Sequence, residues 1–206
     1  SQGKSFAIEV DPRALPDNDV HVAFVRAYVD NQPEAGYVFE VPVTVVRPLR
    51  IPAGTKTISL PLTIKGDSDI MRLKSGERYR SFLVPPTGCT FIEMTVEDKR
   101  NILAEHDSEA DSRLIVVAGL QLRRGVPYRD NEVKRYIYLT PGSEHNHSFA
   151  VIDNTALEFT IARYWSTVNE PQFTVKLRFR GVNPEPNNLI LKGGCCVSDE
   201  LSVRSA

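Results

Sequence analysis

The amino-acid sequence predicts an all-β protein, built mainly as a two-sheet sandwich of the jelly-roll type. Nearly every apolar run alternates with period two, as β-strands do, and no useful stretch shows the 3.6-residue period of an amphipathic helix. Glycine, proline, asparagine and aspartate separate these runs, and such residues form turns. Many short strands divided by turn signals are typical of β-sandwiches and barrels.

The first segment, residues 1–49, contains three predicted strands. The run KSFAIEV alternates, whereas VHVAFVRAYV (20–29) is apolar on both sides, as in a strand covered on both faces. The run at 37–46 alternates again, and Pro42 within it indicates an edge strand or a bulge, because proline cannot donate to the ladder. Three strands are too few for a complete sandwich. We therefore expect the end of a fibronectin-like or immunoglobulin-like sandwich within a longer protein. Its exposed apolar face would fold back onto the second segment or pair with another copy of the chain.

The second segment, residues 50–206, begins in the link RPLRIPAG, whose two prolines and glycine mark the best domain boundary. It has eight or nine candidate strands, enough for a jelly roll. They are KTISLPLTI, RYRSFLV, TFIEMTVED, RLIVVAGLQLR, VKRYIYLT, HSFAVI, LEFTIARYW, FTVKLRF and NNLILK.

Charge and composition exclude several classes of function. The formal net charge is −1, so nothing electrostatic favours nucleic acid or an anionic membrane as a partner. The longest apolar run, LIVVAGL, is too short to span a bilayer, and no basic-then-apolar leader opens the chain. Three irregularly spaced cysteines (Cys89, Cys195 and Cys196) form no disulfide framework, and reduced thiols favour a cytoplasmic location.

The sequence shows no assembled reactive group. It contains neither a G-x-S-x-G elbow nor a glycine-rich phosphate loop. His21 lies in an apolar strand, as a structural histidine does. His106 lies in an acidic loop, where a solvated histidine is expected. The pair His145 and His147 lies on one side of any extended segment and could supply two zinc ligands, but a zinc site needs more. The oxygen-rich loops GDSD and DSEAD are better interpreted as turns than as calcium sites. We therefore predict no catalytic residue, no metal and no cofactor.

One cluster leaves two interpretations open. In LEFTIARYW a core face runs through Phe159 and Ile161, is interrupted by Arg163, and is closed by Trp165. A buried, unpaired arginine would cost several kcal/mol, so Arg163 must reach the rim or pair with an acid. The structural interpretation, which we favour, is a rim arginine stacked on the indole. The alternative is a sugar platform, in which Trp165 stacks on a ligand and Arg163 donates hydrogen bonds to it.

At these same residues the sequence resembles the tripeptidyl-peptidase II family, a family of giant subtilisin-type serine exopeptidases. The segment ALEFTIARYWS, followed by a strand ending in FRGV, is similar to the region after the family's protease domain. The passages VDPRALPDNDVHVAFVRAYV, LKSGERYRSFLVPPTGCTFIEMTV and GLQLRRGVPYRDNE resemble family segments in the same order. The resemblance is collinear over residues 6–192.

The resemblance implies a galactose-binding-like jelly roll over residues 50–206, after the last strands of an immunoglobulin-like sandwich over residues 1–49. It also implies a cytoplasmic parent enzyme that removes tripeptides from peptide N-termini downstream of the proteasome and forms very large homo-oligomers. The family's catalytic Asp, His and Ser lie upstream, and none of their signatures is present here. The expected partners are the protease domain of the same parent chain and further copies of it. Arg163 and Trp165 match an Arg-Trp-Trp segment of the family, and this chain has Tyr164 where the family has the first Trp.

Overall fold

The computed structural model describes residues 5–62, 70–100, 112–123, 125–165, 169–185 and 202–205. Contacts between residues divide the chain into two compact units, Ser1–Leu49 and Arg50–Ala206. The regular structure of the described ranges consists of β-strands and two short 3₁₀ turns. None of these ranges contains a helix long and apolar enough to cross a membrane.

The first unit is an antiparallel hairpin of two strands, β1 (Asp19–Tyr28) and β2 (Tyr37–Arg47), joined through a 3₁₀ turn at Pro33–Ala35. The predicted strand at residues 4–10 is wrong, because residues 5–10 join no ladder and β1 and β2 pair with each other. The ring of Phe6 instead stacks on that of Phe39, with centroids 5.6 Å apart.

The prediction that β1 is covered on both sides is also wrong for this chain. Val22 and Phe24 lie on one face of β1 and are both more than half exposed, and Val25 on the other face is exposed too. The hairpin therefore presents apolar side chains to solvent on both of its faces. A two-stranded ribbon is marginally stable by itself, so these faces are suited to being covered by further structure.

The second unit contains two antiparallel sheets built from eleven strands among the described residues. Their bounds are β3 (Leu49–Arg50), β4 (Thr57–Leu60), β5 (Met71–Arg72), β6 (Arg78–Val84), β7 (Cys89–Asp98), β8 (Arg113–Gln121), β9 (Glu132–Leu139), β10 (Glu144–Ala150), β11 (Leu157–Arg163), β12 (Gln172–Glu185) and β13 (Ser202–Ser205). One sheet has the order β3-β6-β11-β8-β9. The other has the order β10-β7-β12-β13, with β4 and β5 also paired to β12.

The predicted inward faces of the strands are confirmed in the centre of both sheets. Ile92, Met94 and Val96 of β7 are buried, while the residues between them point outward. Strand β12 buries Phe173, Val175, Leu177 and Phe179 in the same way. The rings of Phe149 and Phe159 stack across the two sheets, with centroids 6.3 Å apart. The two inner faces thus form one apolar core.

A buried glutamine ties β8 to the segment that follows β10. The Gln121 side chain accepts a hydrogen bond from the Ile152 backbone N–H at 2.8 Å. Its Nε2 donates to the backbone carbonyls of Ile152 at 2.9 Å and Thr155 at 3.0 Å. The carboxamide thereby satisfies backbone groups that no neighbouring strand reaches, which is the usual condition for burying a polar side chain.

Two predicted strands are shortened or lie beyond the described part of the chain. The run KTISLPLTI forms only β4, which ends at Leu60, directly before Pro61. Proline has no backbone N–H and so cannot continue a ladder on that side. Ile64 and the predicted strand NNLILK lie outside the described residues.

Candidate functional site

The predicted site residues Arg163 and Trp165 lie at the end of β11. Leu157, Phe159 and Ile161 are buried, as their alternation predicts. Arg163 is the last strand residue, half-buried at the rim of the core and paired in register with Ile115. The strand geometry therefore places the guanidinium at the border between core and solvent.

Trp165 does not close the core face as the period-two pattern predicts. The strand ends two residues before it, so the alternation of faces no longer applies, and Trp165 lies in a turn with 80% of its surface exposed. Its ring lies 5.8 Å from that of Tyr164, at an interplanar angle of 37°. The indole is thus held beside an aromatic neighbour while one side remains open to solvent.

The exposed aromatic surface is wider than the two predicted residues. Tyr164 meets Tyr136 of β9 edge to face, with ring centroids 6.0 Å apart. Tyr136 and Tyr138 alternate on the outer side of β9, and both are more than half exposed. We call Tyr136, Tyr138, Tyr164 and Trp165 the aromatic patch.

A lysine borders this patch. The ammonium of Lys134 lies 5.2 Å above the centre of the Tyr136 ring. A hydrogen bond and charge interaction with the Tyr136 side chain raise the pKa of Lys134. The surface therefore combines exposed aromatic faces with one positive charge, and tyrosine and tryptophan are enriched at the energetic centres of protein interfaces.

Sequence reasoning missed the contribution of β9 to this surface. The alternation of VKRYIYLT predicts the strand but does not show what its outward residues contact. The spacing Lys134-x-Tyr136-x-Tyr138 repeats every two residues, so the three side chains must share one face of the strand. That signal was present in the sequence, but the proximity of Tyr136 to Tyr164 was not, since it depends on strands that are distant along the chain.

The two histidines of the HNH motif do lie on one side of β10, with Asn146 on the other. His145 Nε2 is 3.2 Å from Ser143 Oγ. His147 Nε2 is buried and has no hydrogen-bond partner among the described residues. Within that part of the chain, no three His, Cys, Asp or Glu side chains come together as a metal site would require. His106, the oxygen-rich loops, Cys195 and Cys196 lie outside the described residues.

The surroundings of His147 predict a stability that depends on pH. Burial, and then the charges of Arg135 and His145, lower the pKa of His147 in the folded state. As pH falls through the ordinary histidine pKa, about 6.5, the unfolded chain binds the proton first, so stability decreases. We expect His147→Gln to lose less stability than the wild type between about pH 7 and pH 5 in urea titrations. Equal losses in the two proteins would show that His147 titrates alike in both states.

Cys89 is not a reactive thiol. It is 1% exposed, and its Sγ donates to the Phe91 carbonyl at 3.4 Å. Burial raises the pKa of the thiol, which keeps it protonated and a poor nucleophile.

Reaction of Cys89 with a thiol reagent should therefore require opening of the structure. In a Cys195→Ser, Cys196→Ser chain, we expect Cys89 to react with an aromatic disulfide at least about 10³-fold more slowly in buffer than in urea. The release of the chromophore measures this rate. Reaction in buffer at the rate of the unfolded chain would contradict the burial of Cys89.

Comparison with known protein families gives two matches to one family. The model described as the TPPII galactose-binding domain-like region matches residues 73–169. The model described as the first Ig-like domain of tripeptidyl-peptidase II matches residues 1–46.

Individual relatives agree with these matches. Tripeptidyl-peptidase 2 of Drosophila melanogaster is 29% identical over 193 residues, which cover 93% of this chain and 13% of the fly protein. Tripeptidyl-peptidase 2 of Arabidopsis thaliana is 25% identical over 197 residues, again 13% of its length. A crystal structure of tripeptidyl peptidase 2 superposes with a TM-score of 0.71 at 29% identity, covering 87% of this chain and 14% of that chain.

These findings confirm the predicted fold class, an Ig-like segment followed by a galactose-binding-like β-sandwich. The chain spans only 11–14% of the length of the relatives that it matches. From the two family models, the relatives and the fold, we conclude that this chain belongs to the tripeptidyl-peptidase II family and corresponds to its first Ig-like and galactose-binding domain-like regions.

Proposed function

We propose that this chain is a non-catalytic structural and assembly segment of a tripeptidyl-peptidase II-like serine peptidase. The parent enzyme would act in the cytoplasm, removing tripeptides from the N-termini of peptides released by the proteasome. In that enzyme the segment would brace the protease domain of the same chain and contribute contacts between copies. The name of the relatives and the small share of their length that matches support this role.

The exposed aromatic patch is the observation that carries the proposal. Trp165 is 80% exposed, and Tyr136 and Tyr138 are more than half exposed on the same sheet. Large exposed aromatic groups that adjoin one another are uncommon on monomeric surfaces and mark sites of interaction. Tryptophan and tyrosine are also the residues that most often dominate the binding energy of an interface. The patch therefore has the composition of an assembly contact.

The assembly role can be tested in the full-length enzyme. We expect the double variant Tyr136→Ala, Trp165→Ala to form smaller particles than the wild type by light scattering, because it removes the centre of the patch. Tyr128→Ala is a matched control, since Tyr128 is an exposed tyrosine outside the patch. Particles of unchanged size in the double variant would contradict an assembly role for this surface.

The non-catalytic role can be tested with the isolated chain. We expect no release of tripeptides from a peptide with a free N-terminus. Turnover that a serine-directed inhibitor abolishes would overturn this part of the proposal, because it would require a serine nucleophile within these 206 residues.

A second candidate function is a carbohydrate- or ligand-binding module that uses Arg163 and Trp165. The open face of the Trp165 indole favours it, since aromatic faces can stack on ligands. Trp165 is the single tryptophan of the chain, so intrinsic fluorescence reports on this site alone. Saturable quenching in a glycan titration, lost in Trp165→Ala with the fold intact, would support the module over the assembly role.

A further inference from the structure

A row of three cations runs along the outer face of the six-stranded sheet. Lys176, Arg178 and Arg180 occupy alternate positions of β12 and therefore point to the same side. The residues between them, Leu177 and Phe179, are buried in the core, which fixes the orientation of the strand. The three charged side chains thus follow one another along one face of a central strand.

The cations form one wall of a cavity of about 580 Å³. Polar side chains of β7 and β10, the next two strands of the same sheet, line it beside them, including Thr95 and Asn146. Thr95 Oγ1 donates to Asn146 Oδ1 at 2.6 Å, and Asn146 Nδ2 donates to Glu144 at 2.8 Å. The volume lies within the range of ordinary ligand pockets, but the lining is more polar than in most of them. Such a lining suits a charged ligand that brings its own hydrogen-bonding groups.

The charges along this cavity are only partly neutralised. Glu93 Oε2 lies 2.9 Å from Arg180 Nε and 3.9 Å from Arg178 Nη1, so one carboxylate serves two guanidinium groups. Lys176 has Thr95 and Ser59 as its neighbours across the two flanking strands. Neither neighbour carries a charge, and Lys176 forms no ion pair with any residue that the structure describes.

We propose that this cavity binds an extended acidic peptide segment, with carboxylates at alternate positions. Alternate residues of a strand are about 6.8 Å apart, and the same spacing separates alternate side chains of an extended peptide. Carboxylates on such a peptide match the row of cations. The second N–H of Asn146 and the lone pairs of Thr95 Oγ1, which the bonds above do not use, can bond its backbone.

The carboxylates of Glu93 and Glu144 argue against nucleic acid as the ligand. They line the same cavity and would repel a continuous phosphate backbone, whose binding depends on net neutralisation by Lys and Arg. An acidic peptide with neutral residues between its carboxylates meets less repulsion. This inference is independent of the aromatic patch, which lies on the other sheet, so either proposal can fail without the other.

The test is fluorescence anisotropy of the whole 206-residue chain with a labelled peptide of alternating glutamate and serine. A peptide with glutamine in place of glutamate serves as the reference. We expect Lys176→Gln to weaken binding about two- to fivefold, the range of one exposed ion pair. We expect Glu93→Gln to tighten it, because that variant removes the carboxylate that competes for both arginines. Added salt should weaken the complex.

Two matched variants control for nonspecific charge effects. Lys74→Gln removes an exposed lysine that does not line the cavity, and Glu158→Gln removes an ion-paired glutamate of the other sheet. Both should bind like the wild type at unchanged melting temperature. The proposal is overturned by equal affinity for the two peptides, by equal effects of Lys176→Gln and Lys74→Gln, or by tighter binding of a single-stranded oligonucleotide.

Discussion

An Asp98→Asn chain is expected to lose about 3–5 kcal/mol of unfolding free energy, because the substitution removes a carboxylate charge that pairs with a buried guanidinium. The side chains of Asp98 and Arg100 are both 0% exposed. Arg100 Nη2 donates to Asp98 Oδ2 at 2.7 Å, and Arg100 Nε donates to both carboxylate oxygens at 3.0 and 3.1 Å. Arg100 Nη2 also donates to the Leu139 carbonyl at 2.9 Å. Asparagine keeps the size of the side chain but removes the charge and one acceptor.

The first unit supplies a matched control. Asp11 and Arg13 have the same spacing and the same two-pronged geometry, but their side chains are 57% and 88% exposed. Water screens such a pair, so Asp11→Asn should lower the unfolding free energy far less than Asp98→Asn does. Urea unfolding of both variants measures the difference, and losses of the same size would show that burial does not govern the strength of the pair.

Removing both partners should be far milder than removing one. Asp98→Leu, Arg100→Met removes both charges of the pair, and replacing a buried ion pair by apolar groups of similar volume is often neutral or stabilising. We therefore expect the double variant to be more stable than Asp98→Asn. A double variant less stable than Asp98→Asn would mean that the hydrogen bond to Leu139 matters more than the charge.

Gly181→Ala is expected to destabilise the second unit by more than about 2 kcal/mol, because a Cβ at this position has no room. It would lie 1.9 Å from the Gly88 carbonyl oxygen and 2.9 Å from the Cys89 Cα. Both are backbone atoms, so a rotamer change cannot relieve the overlap. The register between β7 and β12 shifts at Arg180 and Gly181, which brings the two backbones together.

Gly119→Ala is the control for this substitution. A Cβ there would lie 3.6 Å from a Leu157 methyl and 3.7 Å from the Phe149 ring, which are ordinary packing distances. Gly119 lies inside β8, where glycine is entropically unfavourable, so alanine should be tolerated or mildly stabilising. Thermal unfolding of the two variants should give shifts of clearly different size. Similar shifts would contradict the close approach at Gly181.

The strands at the centre of each sheet were predictable because burial of one face imposes a period of two on the residues. In β7 and β12 that pattern is uninterrupted, and both the strand and its inward residues are confirmed. The pattern failed in the run at 4–10, which alternates equally well, because its described residues, 5–10, have no ladder partner. Pairing is a property of two segments, and the alternation of one segment cannot reveal whether the other is present.

The candidate surfaces were predictable only in part, for related reasons. The sequence identifies Arg163 and Trp165 as candidate site residues because a charge and an indole interrupt a core face. The turn that exposes Trp165 lies where the alternation ends, and Tyr136 meets Tyr164 through a strand distant in sequence. The charged pair Asp98–Arg100 and the close approach at Gly181 gave no local signal, since residues far along the chain create their surroundings.

The Gln121 carboxamide makes the hydrogen bonds to the backbone of Ile152 and Thr155 that a peptide group of a neighbouring strand would otherwise make. The segment after β10 belongs to neither sheet. Its amide protons should nevertheless exchange in heavy water as slowly as those of a strand, above all the amide proton of Ile152. A loop that looks suitable for grafting or insertion would then be one of the more rigid connections of the molecule.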